Sequence, residues 1–164
     1  MGGMPVSPYI RRLREHVGHD LLLIPSVAVL PQDDAGRILL VRQTDDGRWG
    51  TVGGAVEIDE DPRDSAVREA REEAGIEVEL TGIRDVLGGP GFRRTYPNGD
   101  RTSYVSTVFD ARIVGGEPRP DHDETTEVRW FGRAELGDPD LDLGDFARLS
   151  LTRLGLIDAP EGHR

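Results

Sequence analysis

Residues 53–76 read GGAVEIDEDPRDSAVREAREEAGI, and this stretch predicts the centre of the fold. Asp61 and Pro62 supply a helix N-cap and a first-turn proline, and Gly75 supplies a helix stop. Small apolar residues recur every four positions between them, which predicts a narrow stripe for close packing. They are Ala66, Ala70 and Ala74. We therefore expect a helix from about residue 61 to residue 74, preceded by a glycine loop.

The same helix carries three glutamates on a different face. Residues three and four positions apart on a helix are neighbours, so Glu69, Glu72 and Glu73 repel one another by roughly 0.2–0.5 kcal/mol per pair. A hard divalent cation such as Mg²⁺ or Mn²⁺ prefers carboxylate and water oxygens and would convert this repulsion into binding. Because Glu73 reads as a surface-like position, we expect the fold to tolerate its neutralisation.

Two neighbouring features distinguish this cluster from an ordinary solvated helix face. Gly53 and Gly54 let the backbone approach a ligand closely, and Arg68 has the helical spacing to hold a carboxylate in place. A run of Arg and Glu without such neighbours is more often a solvated surface. With them, the sequence favours a metal site built from one glycine loop and one helix.

The spacing of these residues resembles the Nudix box. In order, the matching positions are Gly54, Glu60 after five residues, Arg68 and Glu69 after seven, the apolar Ala70, Glu72 and Glu73 after one more, then Gly75 and Ile76. The resemblance extends over about residues 22–136. Outside the box it includes Trp49, Glu57 and the run Glu127-Val128-Arg129-Trp130-Phe131, while Val52 stands where many members carry proline.

This resemblance implies both a fold and a reaction. The fold would be α/β, a Nudix-type α/β/α sandwich with a mixed sheet. The reaction would be hydrolysis of a diphosphate linkage in a nucleoside diphosphate joined to another moiety, as in nucleotide sugars, ADP-ribose, nucleoside triphosphates including oxidised dGTP, or dinucleoside polyphosphates. The implied cofactor is Mg²⁺ or Mn²⁺, and the implied ligands by position are Glu69, Glu72, Glu73 and the carbonyl of Gly53. A nucleotide-binding sensor without turnover is the alternative, although such a module has no need of three mutually repelling glutamates.

The general base stays open at the level of the sequence, because family members take it either from the box helix or from a later loop. Glu124 is our downstream candidate, as base and as a further metal ligand, and Asp123 and Glu127 are its rivals. Glu57 and Glu60 would serve either as a structural pair at the helix start or as outer ligands.

Substrate-binding residues are harder to identify from the sequence. Trp49 either stacks on a base or anchors the loop, and Arg42 follows an apolar run that would place it near the substrate. For Phe92, Tyr96 and Tyr104 strand packing is the default interpretation. Arg93 and Arg94 would reach substrate phosphates or, as is usual for charged strand residues, face solvent.

Further from the box, the sequence predicts strands around a central helix, which favours an α/β sandwich. We expect strands at residues 21–30 and 38–43 joined as a hairpin, then at 76–86, 93–96, 102–113 and 128–131, with a turn at 97–100. Residues 47–54 read as a glycine-punctuated loop and 138–145 as an acidic loop, and Phe146, Leu149, Leu151 and Leu154 predict a C-terminal helix.

The N-terminal segment predicts a short helix. Ser7 and Pro8 would begin it, and Ile10, Leu13 and Val17 form an apolar stripe too narrow to fold alone. The stripe would dock either on a second subunit, making residues 4–17 part of a homodimer interface, or on the same sheet. The expected organisation is a helical extension at residues 1–20, a catalytic domain at 21–158 and a tail at 159–164.

Composition restricts the class of protein further. With 20 Lys and Arg against 31 Asp and Glu, the net charge of −11 argues against binding a nucleic acid polymer. The chain has no cysteine, so any metal must bind oxygen or imidazole. Its longest apolar run is far shorter than a membrane-spanning helix. We therefore expect a soluble cytoplasmic protein that acts on a small nucleotide-like substrate.

Overall fold

The computed structural model describes residues 7–160, which form two β-sheets packed between helices. The elements in chain order are α1 (Pro8–Val17), β1 (Leu22–Pro31), β2 (Ile38–Gln43), β3 (Trp49–Gly50), β4 (Val52–Ala55), α2 (Pro62–Ala74), β5 (Ile76–Leu87), a 3₁₀ turn (Pro90–Phe92), β6 (Arg93–Thr95), β7 (Arg101–Gly116), β8 (Thr125–Phe131), α3 (Arg133–Leu136) and α4 (Asp145–Arg153).

The larger sheet is mixed, as the sequence predicts. Its strands follow the order β4-β1-β7-β5, and the short β6 also pairs with β7. β1 runs parallel to β7, with Val27 opposite Thr107, and antiparallel to β4. The second sheet is antiparallel in the order β3-β2-β8. The α/β architecture with a mixed sheet is thus confirmed.

The predicted hairpin between β1 and β2 is wrong, because the two strands belong to different sheets. The turn itself forms, since Asp33 Oδ1 accepts hydrogen bonds from the amides of Ala35 (3.1 Å) and Arg37 (2.8 Å). After one bridge between Gln32 and Ile38 the strands separate. A strand has only two hydrogen-bonding edges, and those of β1 are taken by β4 and β7 while those of β2 are taken by β3 and β8.

Two apolar cores lie on either side of this arrangement. On one side the alanine stripe of α2 packs on both sheets, which its small side chains allow at close range. The buried residues of this first core are Val27, Val29, Leu39, Val41, Val52, Ala66, Ala70, Ala74, Ile76, Val78, Phe109 and Ala111. On the other side α3, α4 and the segment after them cover Leu30, Leu40, Trp49 and Phe131. The layers are therefore helix, sheets and helix.

Helix α1 begins where the sequence predicts, because Ser7 Oγ accepts a hydrogen bond from the Ile10 amide (3.3 Å). Ile10 packs against Ile24, Ala55 and Tyr104 of the larger sheet. Of the two docking arrangements, the structure therefore contains the intramolecular one. Residues 1–6, which include the first three residues of the proposed interface segment 4–17, lie outside the described residues, as do tail residues 161–164.

Several local elements differ from the sequence-based expectation. The glycine-punctuated segment contains β3 and β4, the final strand β8 is longer than predicted, and α3 was not anticipated. β4 gains its structure from β1 and β8 from β2, both distant in the chain, whereas α3 is held by local hydrogen bonds. Within residues 7–160, no helix is long and apolar enough to cross a membrane.

Candidate active site

The caps of α2 set the register that turns two of its glutamates inward. Asp61 Oδ1 accepts from the Arg63 amide (2.8 Å), and Gly75 ends the helix with a positive φ of 68°. Glu69 and Glu73, one turn apart, are each only 3% exposed. Glu72 points outward, with 53% of its side chain exposed. The surface-like interpretation of Glu73 is therefore wrong, because β4 and the Glu124 loop cover that flank of the helix.

Strand β4 brings the two glycines against these carboxylates. The Gly53 amide donates to Glu73 Oε1 at 3.4 Å. A Cβ at Gly54 would lie 2.4 Å from Glu69 Oε1, and a Cβ at Gly53 would lie 2.1 Å from the carbonyl oxygen of Val27 in β1. Both positions thus require the absence of a side chain, one to leave room for a carboxylate and the other to keep the strand pairing.

Arg68 connects the helix start with the glutamates. It donates two hydrogen bonds to Glu60, from Nε (2.8 Å) and Nη2 (2.9 Å), while its Nη1 donates to Glu69 (2.9 Å) and Glu72 (3.1 Å). These bonds from Arg68 hold the pKa of Glu60 down to about 2, and the Glu60 carboxylate in turn raises the pKa of Arg68. Glu60 is therefore the structural partner of Arg68, and Glu57 contributes its backbone amide (3.3 Å).

The buried carboxylates are electrostatically unfavourable without a cation. Burial raises the pKa of Glu73 well above its usual value, and the nearby Glu69 raises it further. Burial also raises the pKa of Glu69, against the lowering effect of hydrogen bonding with Glu73 and of the Arg68 charge. Two buried acids side by side destabilise the ionised state of both unless a positive charge is supplied.

The donor set fits a hard divalent cation in its chemistry. Glu69 Oε2 is buried and has no hydrogen-bond partner among the described residues. Within residues 7–160, no three His, Asp or Glu side chains are already close enough together to hold a metal ion. Arg68 Nη1 lies between Glu69 and Glu72 and donates a hydrogen bond to each. Because Glu72 is exposed, rotation of its carboxylate away from Arg68 would cost little.

A loop before β8 supplies a further carboxylate. Asp121 Oδ1 accepts hydrogen bonds from the amides of Asp123, Glu124 and Thr125, each at 2.9 Å. The Thr125 hydroxyl, fully buried, donates to the Glu73 carbonyl at 2.8 Å and so ties the loop to α2. Sequence reasoning missed Asp121 and Thr125, although an Asp ahead of a short polar segment is a known signal for a side-chain-capped turn.

The three candidates for the general base, Glu124, Asp123 and Glu127, differ in their burial and in their partners. Glu124 is half-buried, and burial together with the charges of Glu69, Asp121 and Glu72 raises its pKa to about 7. Asp123 is exposed. Glu127 is also exposed and pairs with Arg42 at 2.8 Å. Only Glu124 of the three lies beside the carboxylates of α2.

The two expected substrate-binding residues have different surroundings. Arg42 donates to the Gly47 carbonyl (2.6 Å) and to Glu127, and it lines neither of the two cavities beside the carboxylates. Trp49 is buried, its ring meets Phe131 edge to face at 4.9 Å between centroids, and it also lines a cavity beside the glycines. Trp49 is therefore a core residue that still reaches the cleft.

Two cavities meet at the carboxylates. The smaller, about 360 Å³, is lined by Gly53, Gly54, Glu73 and Trp49 among others. The larger, about 870 Å³, is lined by Arg68, Glu69, Glu72 and residues of α1. Glu124 and Arg94 line both. The carboxylate cluster thus lies between the two cavities. Arg94, for which the sequence left a contact with substrate phosphates and a solvated position both open, lines both cavities.

Comparison with known proteins agrees with this geometry. The NUDIX domain model matches residues 22–153. A MutT-like protein of Streptomyces ambofaciens is 33% identical, over 79% of this chain and 77% of that protein. The nucleoside triphosphatase NudI of Enterobacter sp. (strain 638) is 28% identical, over 74% of this chain and 90% of that protein. The crystal structure of an ADP-ribose pyrophosphatase from Streptococcus suis 89-1591 superposes with a TM-score of 0.61 at 25% identity, covering 81% of this chain and 87% of that one.

The match to the family model extends well beyond the box, through both sheets and into α4. It leaves out α1, which lies N-terminal to the matched region. Within the matched region, all the fixed positions of the box are filled, and the fold places them on one glycine strand and one buried helix. The chain belongs to the Nudix family, as a MutT-like Nudix hydrolase of the pyrophosphohydrolase kind.

Proposed function

We propose that this protein hydrolyses the diphosphate linkage of a nucleoside diphosphate joined to another moiety, in a reaction that depends on Mg²⁺ or Mn²⁺. The observation that carries the proposal is the buried pair Glu69 and Glu73, which is unfavourable without a cation and lies where two cavities meet. Glu69, Glu72, Glu73, Glu124 and the Gly53 carbonyl would hold the ion.

When bound, the metal neutralises charge on the phosphate oxygens and lowers the pKa of the attacking water. Water then attacks one phosphorus, the bridging P–O bond breaks, and the other phosphate leaves with its substituent. Arg68 orients Glu69 through its hydrogen bond, while the exposed carboxylate of Glu72 would turn from Arg68 toward the ion. Glu124 accepts the proton of the water, a role supported by its half-buried position and by a pKa raised to about 7 by burial.

The relatives leave the second moiety open. One is named a nucleoside triphosphatase and one structural neighbour an ADP-ribose pyrophosphatase, so the classes to compare are nucleotide sugars, ADP-ribose, dinucleoside polyphosphates and nucleoside triphosphates including oxidised dGTP. We also propose a cytoplasmic location, supported by the absence of cysteine, and a small-molecule substrate rather than a nucleic acid polymer, supported by the net charge of −11.

A chromatographic assay that quantifies the cleaved products over these substrate classes, with and without metal, tests the proposal, because cleavage of ADP-ribose or a nucleotide sugar gives two phosphomonoesters and no free phosphate. Protein freed of metal with EDTA should be inactive, and added Mg²⁺ or Mn²⁺ should restore turnover because the site offers hard oxygen ligands. A variant with Glu79→Gln, an exposed strand glutamate paired with Arg112, is the matched control and should behave as wild type. Full activity in chelated protein would refute the metal dependence, and nucleotide binding without any turnover would favour a sensor.

A further inference from the structure

The larger of the two cavities has one wall that the family match does not include. Ile10 and Arg14 of α1 line it together with Ile24, Tyr96 and Tyr104, and Ile10 packs against Ile24 and Tyr104. The floor is the carboxylate site itself, since Arg68, Glu69 and Glu72 line the same space. At about 870 Å³ the cavity lies within the range of small-molecule binding sites. A ligand cleaved at the carboxylates therefore has room to extend toward α1.

The surface of this cavity suits a ring rather than a chain of phosphates. Ile10, Ile24 and Ala55 provide apolar contact, and the hydroxyls of Tyr96 and Tyr104 hydrogen-bond to each other. Burial raises the pKa of both tyrosines, so their hydroxyls stay protonated. Aromatic faces with a few polar groups are typical of sites that bind sugars or bases.

The charges of the cavity point in the same direction. Carboxylates outnumber guanidinium groups among its lining residues. Arg94 pairs with Asp45 (3.3 Å) and lies over the Tyr96 ring (4.9 Å to its centroid), and Arg14 lies 3.6 Å from Asp100. Apart from Glu69, Glu72 and Glu124, which would hold the ion, the lining carries four carboxylates and four guanidinium groups, so it offers no excess of positive charge to a free polyphosphate tail.

The smaller cavity has a different character. It is lined by the rings of Trp49 and Phe146 and by Ser26 of β1. Ser26 is 5% exposed, and its hydroxyl is buried without a hydrogen-bond partner among the described residues. A buried hydroxyl without a partner is costly, and a ligand that bonded to it would recover that cost. Flat aromatic walls and one unpartnered hydroxyl fit a nucleobase.

We propose that the cleft binds a disubstituted diphosphate, with the nucleoside in the smaller cavity and a second sugar or nucleoside in the α1-walled cavity. This inference rests on the proposed function and narrows it, because a nucleoside triphosphate has no group to fill the larger cavity. Helix α1 is then a specificity element added to the Nudix domain. The two halves of the substrate extend in opposite directions from the carboxylates.

The test compares ADP-ribose, a nucleotide sugar and a dinucleoside diphosphate with the corresponding nucleoside triphosphates, all with Mg²⁺. Wild-type kcat/KM should favour the disubstituted class by about tenfold or more, the scale of one well-filled apolar contact. Ile10→Trp would fill the cavity and should remove this preference, mainly through KM. Glu15→Trp, on an exposed face of α1 away from the cavity, is the matched control and should keep it.

Three further variants distinguish filling of the cavity from a displacement of α1. Tyr96→Ala should raise KM for the disubstituted class alone, and Tyr96→Phe, which keeps the ring, should restore most of the loss. Ser26→Ala should instead impair both classes alike, because both carry a nucleoside. Equal effects of Ile10→Trp and Tyr96→Ala on both classes, or no effect on either, would overturn the inference. Absence of turnover for every substrate would overturn the proposed function itself.

Discussion

At the scale of single residues, the site depends on the missing side chains of Gly53 and Gly54. A Cβ at Gly53 would meet the backbone oxygen of Val27, which cannot move without disturbing β1. A Cβ at Gly54 would meet the end of the Glu69 side chain, which can rotate away. The two neighbouring glycines are thus required for different reasons, the first for folding and the second for the position of a carboxylate.

This difference predicts that substitution by alanine affects stability at Gly53 and catalysis at Gly54. Gly53→Ala should lower the free energy of unfolding by about 1–3 kcal/mol, as overpacking in a filled core does. Gly54→Ala should leave the unfolding free energy nearly unchanged but lower kcat, because Glu69 must leave its place. Denaturant unfolding and steady-state kinetics on both variants check this, and a stable, fully active Gly53→Ala protein would contradict it.

Glu73 illustrates a conflict between stability and function. Its carboxylate is buried beside Glu69, and burial raises its pKa. Glu73→Gln removes one of the two acids while keeping the shape, so we expect the metal-free variant to melt no lower than wild type and even somewhat higher. We also expect turnover to fall by about 10²-fold or more, because metal-assisted activation of water is lost.

Thermal melts in EDTA and rate measurements in Mg²⁺ test both halves of this prediction. Glu79→Gln, on the exposed face of β5, controls for the loss of one negative charge. Turnover of the Glu73→Gln variant at the wild-type rate would show that Glu73 is not part of the active site. A large fall in melting temperature would show instead that the buried carboxylate supports the fold.

At the scale of elements, the loop before β8 and helix α2 are joined by one buried hydroxyl. Thr125 donates to the Glu73 carbonyl, and Asp121 accepts from the amides of Asp123, Glu124 and Thr125. The position of the proposed base thus depends on residues that touch no substrate. Because this link positions the proposed base and not the substrate, its loss should lower kcat more than it raises KM.

We predict that Thr125→Val lowers kcat by about tenfold and the unfolding free energy by about 1–2 kcal/mol, since an isosteric side chain leaves the carbonyl without its donor. Thr125→Ser keeps the hydroxyl and should retain most of the activity. Kinetics and denaturant curves for the two variants decide the matter. If both variants lose activity equally, the hydroxyl is not the connecting group.

At the scale of the whole molecule, α1 both covers the larger sheet and offers an outer surface. Ile10 packs inward, while Tyr9 and Val17 remain exposed at 36% and 37%. The proposed homodimer would use this outer side of the helix together with residues before it. Two exposed apolar side chains on a short amphipathic helix provide only a small apolar contact area. A charged side chain introduced at either position should therefore dissociate such a dimer.

We therefore predict that the protein is a dimer by light scattering and that Tyr9→Glu combined with Val17→Glu yields monomers with an unchanged fold. Deletion of residues 1–17 should give the same monomer but also destabilise the sheet, because Ile24 and Tyr104 lose their cover. A monomeric wild type, or a dimer that survives both changes, would show that α1 is not an interface.

The sequence alone predicts the helix α2, its caps, its alanine stripe and its glutamates, because caps and periodicity are local properties of the chain. The spacing from Gly54 to Ile76 likewise indicates the family and the class of reaction. The positions of most strands can be predicted from runs of β-branched and aliphatic residues. The predicted strand ends are in error where pairing with another strand sets the length. The mixed sheet follows from the order of elements.

Other features depend on contacts that no local pattern specifies. The separation of β1 and β2 into two sheets, the burial of Glu73 and the two cavities arise from pairing between distant segments. The choice of Glu124 over Asp123 and Glu127 depends on a loop tied to α2 through Thr125. The partners of a strand and the burial of a carboxylate depend on contacts between distant segments, so they are seen only in the tertiary structure.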